Sequence, residues 1–110
     1  MYYDAFFSGC RSLVTLDLSR WDTSAAQKMN WMFHNCSSLT TIYVGDGWST
    51  SNVTESTQMF DGCSALVGMN GTACDGTNNI TASYAVVDGG TDNPGYLSLK
   101  PYVVYTANDS

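Results

Sequence analysis

Basic residues are scarce in this 110-residue chain: Arg11, Arg20, Lys28 and Lys100 stand against ten Asp and Glu, for a net charge of −6. Duplex nucleic acid and anionic membrane surfaces are bound by clustered Lys and Arg, and four scattered cations form no cluster. Neither partner is expected. No apolar run approaches the roughly 20 residues of a membrane-spanning helix; the longest candidates are short stretches such as Tyr102 to Tyr105. Direct membrane insertion is therefore not expected either. The opening residues carry no basic region and no small-residue cleavage site, so a secretion signal, if the protein is exported, is expected upstream. Histidine occurs once, so any Ser-His-Asp or Cys-His relay must pass through His34.

What the chain does have is 44% hydrophobic residues and 33 Ser, Thr and Asn. That hydrophobicity at low charge removes intrinsic disorder from consideration. The length fits one domain or part of a repeat array. Aligning on cysteine exposes a repeat: Phe6-Phe7-Ser8-Gly9-Cys10-Arg11-Ser12-Leu13, Met32-Phe33-His34-Asn35-Cys36-Ser37-Ser38-Leu39 and Met59-Phe60-Asp61-Gly62-Cys63-Ser64-Ala65-Leu66. The cysteines are 26 and then 27 residues apart. Leu16, Ile42 and Met69 continue the match, then Leu18 and Val44 opposite Gly71, and Trp21 corresponds to Trp48 after a one-residue insertion near Gly45-Asp46-Gly47.

Each unit has two halves. Met29, Met32, Phe33 and Cys36 fall at i, i+3, i+4 and i+7, the apolar stripe of a short helical or 3-10 turn. Leu16-Asp17-Leu18 alternates at period 2, as a half-buried strand does. A helical turn followed by a strand every 20 to 29 residues is the leucine-rich-repeat pattern, and one unit cannot bury its apolar face without a neighbour.

At these residues the sequence resembles the BspA-like leucine-rich repeats of bacterial surface proteins, in the subtype reading M-F-x-x-C-x-x-L-x-x-L-D-L-S-x-W-D-T-S. The best stretch runs from Cys10 through Leu16-Asp17-Leu18-Ser19-Arg20-Trp21-Asp22-Thr23-Ser24, followed by Met29 to Phe33. The second unit departs at Ile42-Tyr43-Val44-Gly45-Asp46-Gly47. The resemblance implies export or surface display, adhesion-type contact with a protein or glycan, and no reaction.

The expected fold is a β-rich leucine-rich-repeat solenoid with a short helical or 3-10 turn plus strand per coil. Its parallel stacked strands are expected to be closed by a C-terminal β-hairpin cap. Residues 1–71 are the repeats, 72–99 the capping segment and 100–110 a tail or linker. Within the cap, Thr81 to Val87 is β-branched and aromatic, the next eight residues are dense in turn formers, and Tyr96 to Leu99 can return as a second strand. The N-terminal end shows no cap, as Tyr2, Tyr3, Phe6 and Phe7 begin in mid-unit. It is expected either to continue from upstream units or to be buried by self-association.

Cys10, Cys36 and Cys63 share one repeat position, so stacking at about 4.8 Å makes a column of buried thiols. Disulfides want closer Cβ atoms, while Cys74 leaves a bridge to Cys63 open. No zinc spacing occurs. His34 replaces Ser8 and Asp61 at a variable polar position, which argues for a solvated side chain over a catalytic one. Asp88-Gly89-Gly90-Thr91-Asp92-Asn93 lacks the ligand spacing of a calcium loop and reads as a tight turn. The chain is expected to have no cofactor, no metal and no enzymatic activity. By alternation from the buried leucines, the candidate binding face is Thr15, Asp17, Thr41, Tyr43, Gly68 and Asn70, with Tyr43 the aromatic anchor. The competing expectation is a structural spacer that terminates a longer array whose binding sites lie upstream.

Overall fold

A computed structural model describes residues 2–100; residues 101–110, most of the expected tail, lie outside the described residues. The architecture is small and β-rich. A three-stranded parallel sheet in the order β1-β2-β3 is built from β1 (Thr15–Leu18), β2 (Thr41–Val44) and β3 (Ser98–Leu99), with no α-helix among the described residues. Thr15 lies beside Thr41, Leu16 beside Ile42, Asp17 beside Tyr43 and Leu18 beside Val44. The register thus equals the 26-residue repeat. A one-residue slip would turn Ile42 and Val44 out of the core.

The segment before each cysteine is not a helix, although its apolar spacing is helical. Phe6, Ser8 and Cys10 each donate their N–H to the carbonyl three residues back, as do Met32, His34 and Cys36, at 3.1 to 3.4 Å. The intervening N–H groups leave the unit altogether. Those of Tyr3, Ala5, Phe7 and Gly9 reach the carbonyls of Lys28, Asn30, Met32 and His34, and those of Met29, Trp31, Phe33 and Asn35 reach Glu55, Thr57, Met59 and Asp61, all at 2.7 to 2.9 Å. This ribbon of overlapping turns requires left-handed backbone at Ala5, Trp31 and Gln58 and again at Gly9, Asn35 and Gly62. A helix would direct every N–H back into its own unit, so the chain gives up helical geometry and gains bonds between units. Left-handed φ costs a residue with a side chain about 1 kcal/mol, which the inter-unit bonds offset.

Repeat-related side chains stack across the units. Phe7, Phe33 and Phe60 form a ladder with centroids 5.7 and 5.5 Å apart and planes within 4° and 9° of parallel. Tyr96 closes it edge-on against Phe60 at 5.1 Å. Met29, Met32, Phe33, Leu39, Ile42, Met59, Phe60 and Leu66 are completely buried. The cysteine column forms beside them. Cys36 Sγ donates to Phe7 O at 3.1 Å and Cys63 Sγ to Phe33 O at 2.9 Å. All four cysteines are free thiols, including the Cys63 and Cys74 left open for a bridge.

The third unit leaves the sheet early. Val67 N–H still reaches Thr40 O, but Gly68 N–H then bonds Thr72 O, and Val67 pairs antiparallel with Ala73. A turn from Gly68 to Gly71, closed by Gly71 N–H on Gly68 O at 3.0 Å and ending with Gly71 at φ +93°, makes this tight reversal. Met69, aligned with the partly buried Leu16 and the buried Ile42, is consequently half exposed. Asn70 and Gly71 vacate the place beside Tyr43 and Val44, and Ser98 and Leu99 fill it in parallel register.

The pairing of the closing segment corrects the hairpin expected for it. Val87 pairs with Leu97 in parallel, whereas a hairpin requires antiparallel strands. Residues 82–84 and 90–92 are single 3-10 turns. The intervening loop brings the chain around to run in its original direction, and Gly95 packs so tightly that a Cβ would lie 2.2 Å from Val86 O.

Candidate functional site

The exposed strand face carries four of the six positions singled out from the sequence. Thr15 lies beside Thr41, and Asp17 beside Tyr43, which neighbours Ser98 in turn. Lys100, arriving after β3, places Nζ 2.6 Å from Asp17 Oδ2 and so ties the last strand to the first. Asp17 also accepts the N–H of Ser19 at 2.9 Å. The Lys100 ammonium, with Ser19, holds its carboxyl well below the usual carboxylate range. Lys100 is not among the candidates, because it lies 83 residues from Asp17 and its place is fixed by β3.

Gly68 and Asn70 do not extend this face. Gly68 is buried, with no room for a side chain: a Cβ would lie 2.3 Å from Gly95 O and 2.6 Å from Asp88 Cβ. Asn70 is exposed, but its side-chain amide donates to Asp88 O at 2.6 Å. Both belong to the reversal that Asp88 fastens. The Asp88 side chain is buried at 1% exposure. Its Oδ2 accepts the N–H groups of Asn70 and Thr72, and its Oδ1 accepts the Thr72 hydroxyl and Gly90 N–H, at 2.8 to 3.0 Å. Burial pushes its pKa up, but these donors prevail and bring it down to about 2. Asp88 is a fastening carboxylate.

Between the reversal and the face lies an open groove of about 520 Å³, lined by Thr40, Thr41, Tyr43, Val67, Met69 and Leu99 among others. Val67, Met69 and Leu99 are 40%, 50% and 48% exposed. The groove therefore sets three apolar side chains around Tyr43 on an uncharged floor. Alternation along the strand could not locate Val67, Met69 or Leu99, since their exposure follows from the early departure of the third unit. A second cleft, of about 480 Å³, is more polar and is lined by Arg20, Trp21, Asp22 and Asp46 with small neighbours.

His34 meets a carboxylate that the sequence did not indicate. Its Nε2 lies 3.1 Å from Asp61 Oδ2, and both side chains are about one-third exposed. Ser8 shares their repeat position, yet no hydrogen bond among the described residues joins Ser8 to His34, so the column lacks the nucleophile–base link of a hydrolytic relay. No group of three or more His, Cys, Asp or Glu among the described residues is arranged to hold a metal ion. No helix of the described residues is long and apolar enough to cross a membrane.

The aligned tryptophans have structural roles. Trp48 Nε1 donates to Ala85 O at 2.8 Å, fixing the closing segment, and Trp21 packs against Tyr3, Phe6 and Phe7. Trp31 is exposed and donates to Gln58 Oε1.

No curated protein and no solved structure matches the chain. A family of repeat-containing sequences associated with BspA-like surface proteins does match, over residues 2–83, from the first turn ribbon to the first 3-10 turn. The chain belongs to that family, described as "Mycoplasma protein of unknown function, DUF285".

Proposed function

We propose that the protein is a non-enzymatic interaction module, secreted or displayed at a cell surface, that presents its sheet face and the adjoining groove to a protein or glycan. In this reading the chain is a short leucine-rich-repeat solenoid of the BspA-like subtype, residues 72–99 serve as its cap, and the contact is adhesive, to host or matrix. The observation that carries the proposal is the ring of half-exposed Val67, Met69 and Leu99 around Tyr43, above a floor without charge. Aromatic anchors surrounded by apolar side chains supply most of the energy at protein contacts, and the same ring accommodates the apolar face of a sugar. With little charge to steer association, recognition rests on shape and hydrogen bonding.

The test is binding of the immobilised chain to matrix proteins and to a glycan panel, compared with Tyr43→Ala and Asp17→Ala. The reading expects at least a tenfold loss on Tyr43→Ala, since truncating an anchor costs about 1.4 kcal/mol or more. Equal binding by wild type and both variants would refute it and favour the second reading, a spacer and terminator for binding units elsewhere. One observation supports that alternative: Gly68 and Asn70 are consumed by the closing reversal, which shortens the face available to a partner.

A further inference from the structure

The polar cleft beside Arg20 arises where the second unit is one residue longer than the first. After β1 the chain turns at once, Trp21 N–H closing on Leu18 O at 3.0 Å, whereas after β2 the turn starts one residue later, Trp48 N–H closing on Gly45 O at 3.2 Å. The inserted stretch Gly45-Asp46-Gly47 lies directly on the turn of the first unit. A Cβ at Gly45 would sit 2.3 Å from Ser19 O and one at Gly47 2.5 Å from Trp21 O, so neither position admits a side chain. Asp46, between the two glycines, is exposed and lines the cleft. The walls are tied together through buried Thr23, whose N–H donates to Gly47 O at 2.9 Å, whose Oγ1 accepts Ser49 N–H at 2.7 Å and whose hydroxyl donates to Ser49 O at 2.8 Å. The cleft is therefore formed before any ligand arrives.

Its polar groups are unlike and unpaired. Arg20 and Asp46 carry opposite charges in one cleft of about 480 Å³, yet neither side chain makes an ion pair or hydrogen bond among the described residues. Trp21 Nε1–H has no partner among them either, although the matching group of Trp48 is bonded to Ala85 O. Since no unbonded side-chain nitrogen or oxygen of the described residues is buried, the Trp21 indole N–H is open to solvent. Asp22 accepts Ser24 N–H through Oδ1 at 2.9 Å, and the Ser24 hydroxyl and N–H hold its carboxyl below the usual carboxylate range. The cleft thus offers two carboxylates, which only accept, and a guanidinium and an indole N–H, which only donate. Its volume lies within the range of small-ligand sites.

We propose that this cleft is a binding site for a neutral sugar, with Asp22 and Asp46 accepting from its hydroxyls and Arg20 and Trp21 Nε1 donating to them. A hydroxyl both donates and accepts, so neighbouring hydroxyls on one ring meet groups of both kinds and bring no net charge. An anionic sugar sets its own charge beside two carboxylates on a chain of net charge −6 and is disfavoured. Asp46 is what the insertion adds, so the site belongs to this junction of units and not to every coil. It shares no lining residue with the groove around Tyr43 and does not rest on the function proposed for that groove.

The experiment follows the amide and indole NMR signals of the full chain while lactose and the methyl glycosides of glucose, galactose, mannose and N-acetylglucosamine are titrated separately to about 20 mM, enough to saturate a millimolar site. Glucuronic acid and glycine serve as anionic and zwitterionic probes. The expected result is a saturable shift of Trp21 Nε1–H together with the amides of residues 19–24 and 46–49 by at least one neutral sugar. Arg20→Ala and Asp46→Ala are each expected to weaken that sugar about tenfold, the scale of one hydrogen bond to a charged group. Neither side chain bonds elsewhere among the described residues, so both variants should keep the wild-type spectrum outside the cleft, and Tyr43→Ala should leave the affinity unchanged. The proposal is overturned if no neutral sugar shifts these signals, if glucuronic acid or glycine binds more tightly than every neutral sugar, if both cleft variants bind as wild type does, or if Tyr43→Ala alone abolishes binding.

Discussion

Replacing Asp88 by Asn removes a charge and one acceptor oxygen from a site where four donors converge, three of them backbone N–H groups. An amide can turn its oxygen toward the Asn70 and Thr72 N–H groups or toward the Thr72 hydroxyl and Gly90 N–H, but not both. Turned toward Asn70 and Thr72, it keeps both N–H groups and its NH2 can donate to the Thr72 hydroxyl, but Gly90 N–H is left facing a donor. One unsatisfied buried N–H and the lost charge assistance of the remaining bonds cost about 2–4 kcal/mol, and for a domain of this size each kcal/mol lowers Tm by about 4–8 °C. Thermal melts followed by circular dichroism at pH 7 are therefore expected to show Asp88→Asn at least about 8 °C below wild type. The pH dependence supplies an independent check. A pKa near 2 in the folded state, below the ordinary aspartate value of 3.8, means that the carboxylate stabilises the fold above about pH 4. That contribution disappears as pH falls from about 4 through 2. It amounts to roughly 2 kcal/mol in total, of which about 1 kcal/mol is gone by pH 3. The gap between wild type and Asp88→Asn should narrow accordingly. A Tm within 2 °C of wild type at pH 7, or a gap of constant size between pH 7 and pH 3, would refute the fastening role.

Gly62→Ala and Gly9→Ala separate conformational strain from steric conflict, because both glycines have φ near +80° but only at Gly62 does a new Cβ collide, 2.4 Å from Asn35 Oδ1. Urea denaturation is expected to show a loss of about 1 kcal/mol for Gly9→Ala and clearly more for Gly62→Ala; equal losses would remove the steric account. A thiol reagent applied to the native protein is expected to modify Cys10 quickly and the buried Cys36, Cys63 and Cys74 only after denaturation. For Cys63, the hydrogen bond with Cys36 and burial push the thiol pKa up, and for Cys74 burial does so. Rapid native labelling of all four, read by mass spectrometry, would contradict the buried column. Trp48→Phe removes the bond to Ala85 O and is expected to cost about 1 kcal/mol and to speed proteolysis within 82–97; unchanged proteolysis would show that this bond does not hold the closing segment.

The repeat period was legible as sequence and carries over directly into the register of β1 on β2 and into the phenylalanine ladder. The ribbon was half legible. Gly9, Asn35 and Gly62 precede the cysteines, and these residue types favour left-handed backbone, but the helix-like spacing of Met29, Met32, Phe33 and Cys36 obscured that signal. At Ala5, Trp31 and Gln58 no residue preference announces the same conformation; it is imposed by bonding between units. The strand face was legible through Thr15, Asp17, Thr41 and Tyr43 because alternation is local. Gly68 escaped it because its burial depends on Asp88 and Gly95, brought back by the closing loop. The parallel return of Ser98 and Leu99 was equally out of reach, since turn-rich composition marks where a chain bends and not the direction in which it comes back.

The constant separation of bonded partners also has a kinetic meaning. Nearly every bond between units joins residues 25 to 27 apart, about a quarter of the chain, the non-local kind of pairing that slows folding relative to helical domains. Closing any one of these loops costs the same entropy, so no unit is privileged as a nucleus by loop length alone. The bonds of the closing segment depart from this spacing, and the longest separation among them is Lys100 with Asp17, 83 residues apart. That bond forms cheaply only after β2 has joined β1 and supplied the slot for β3, so the pairing of the last strand with the first should be among the last events of folding.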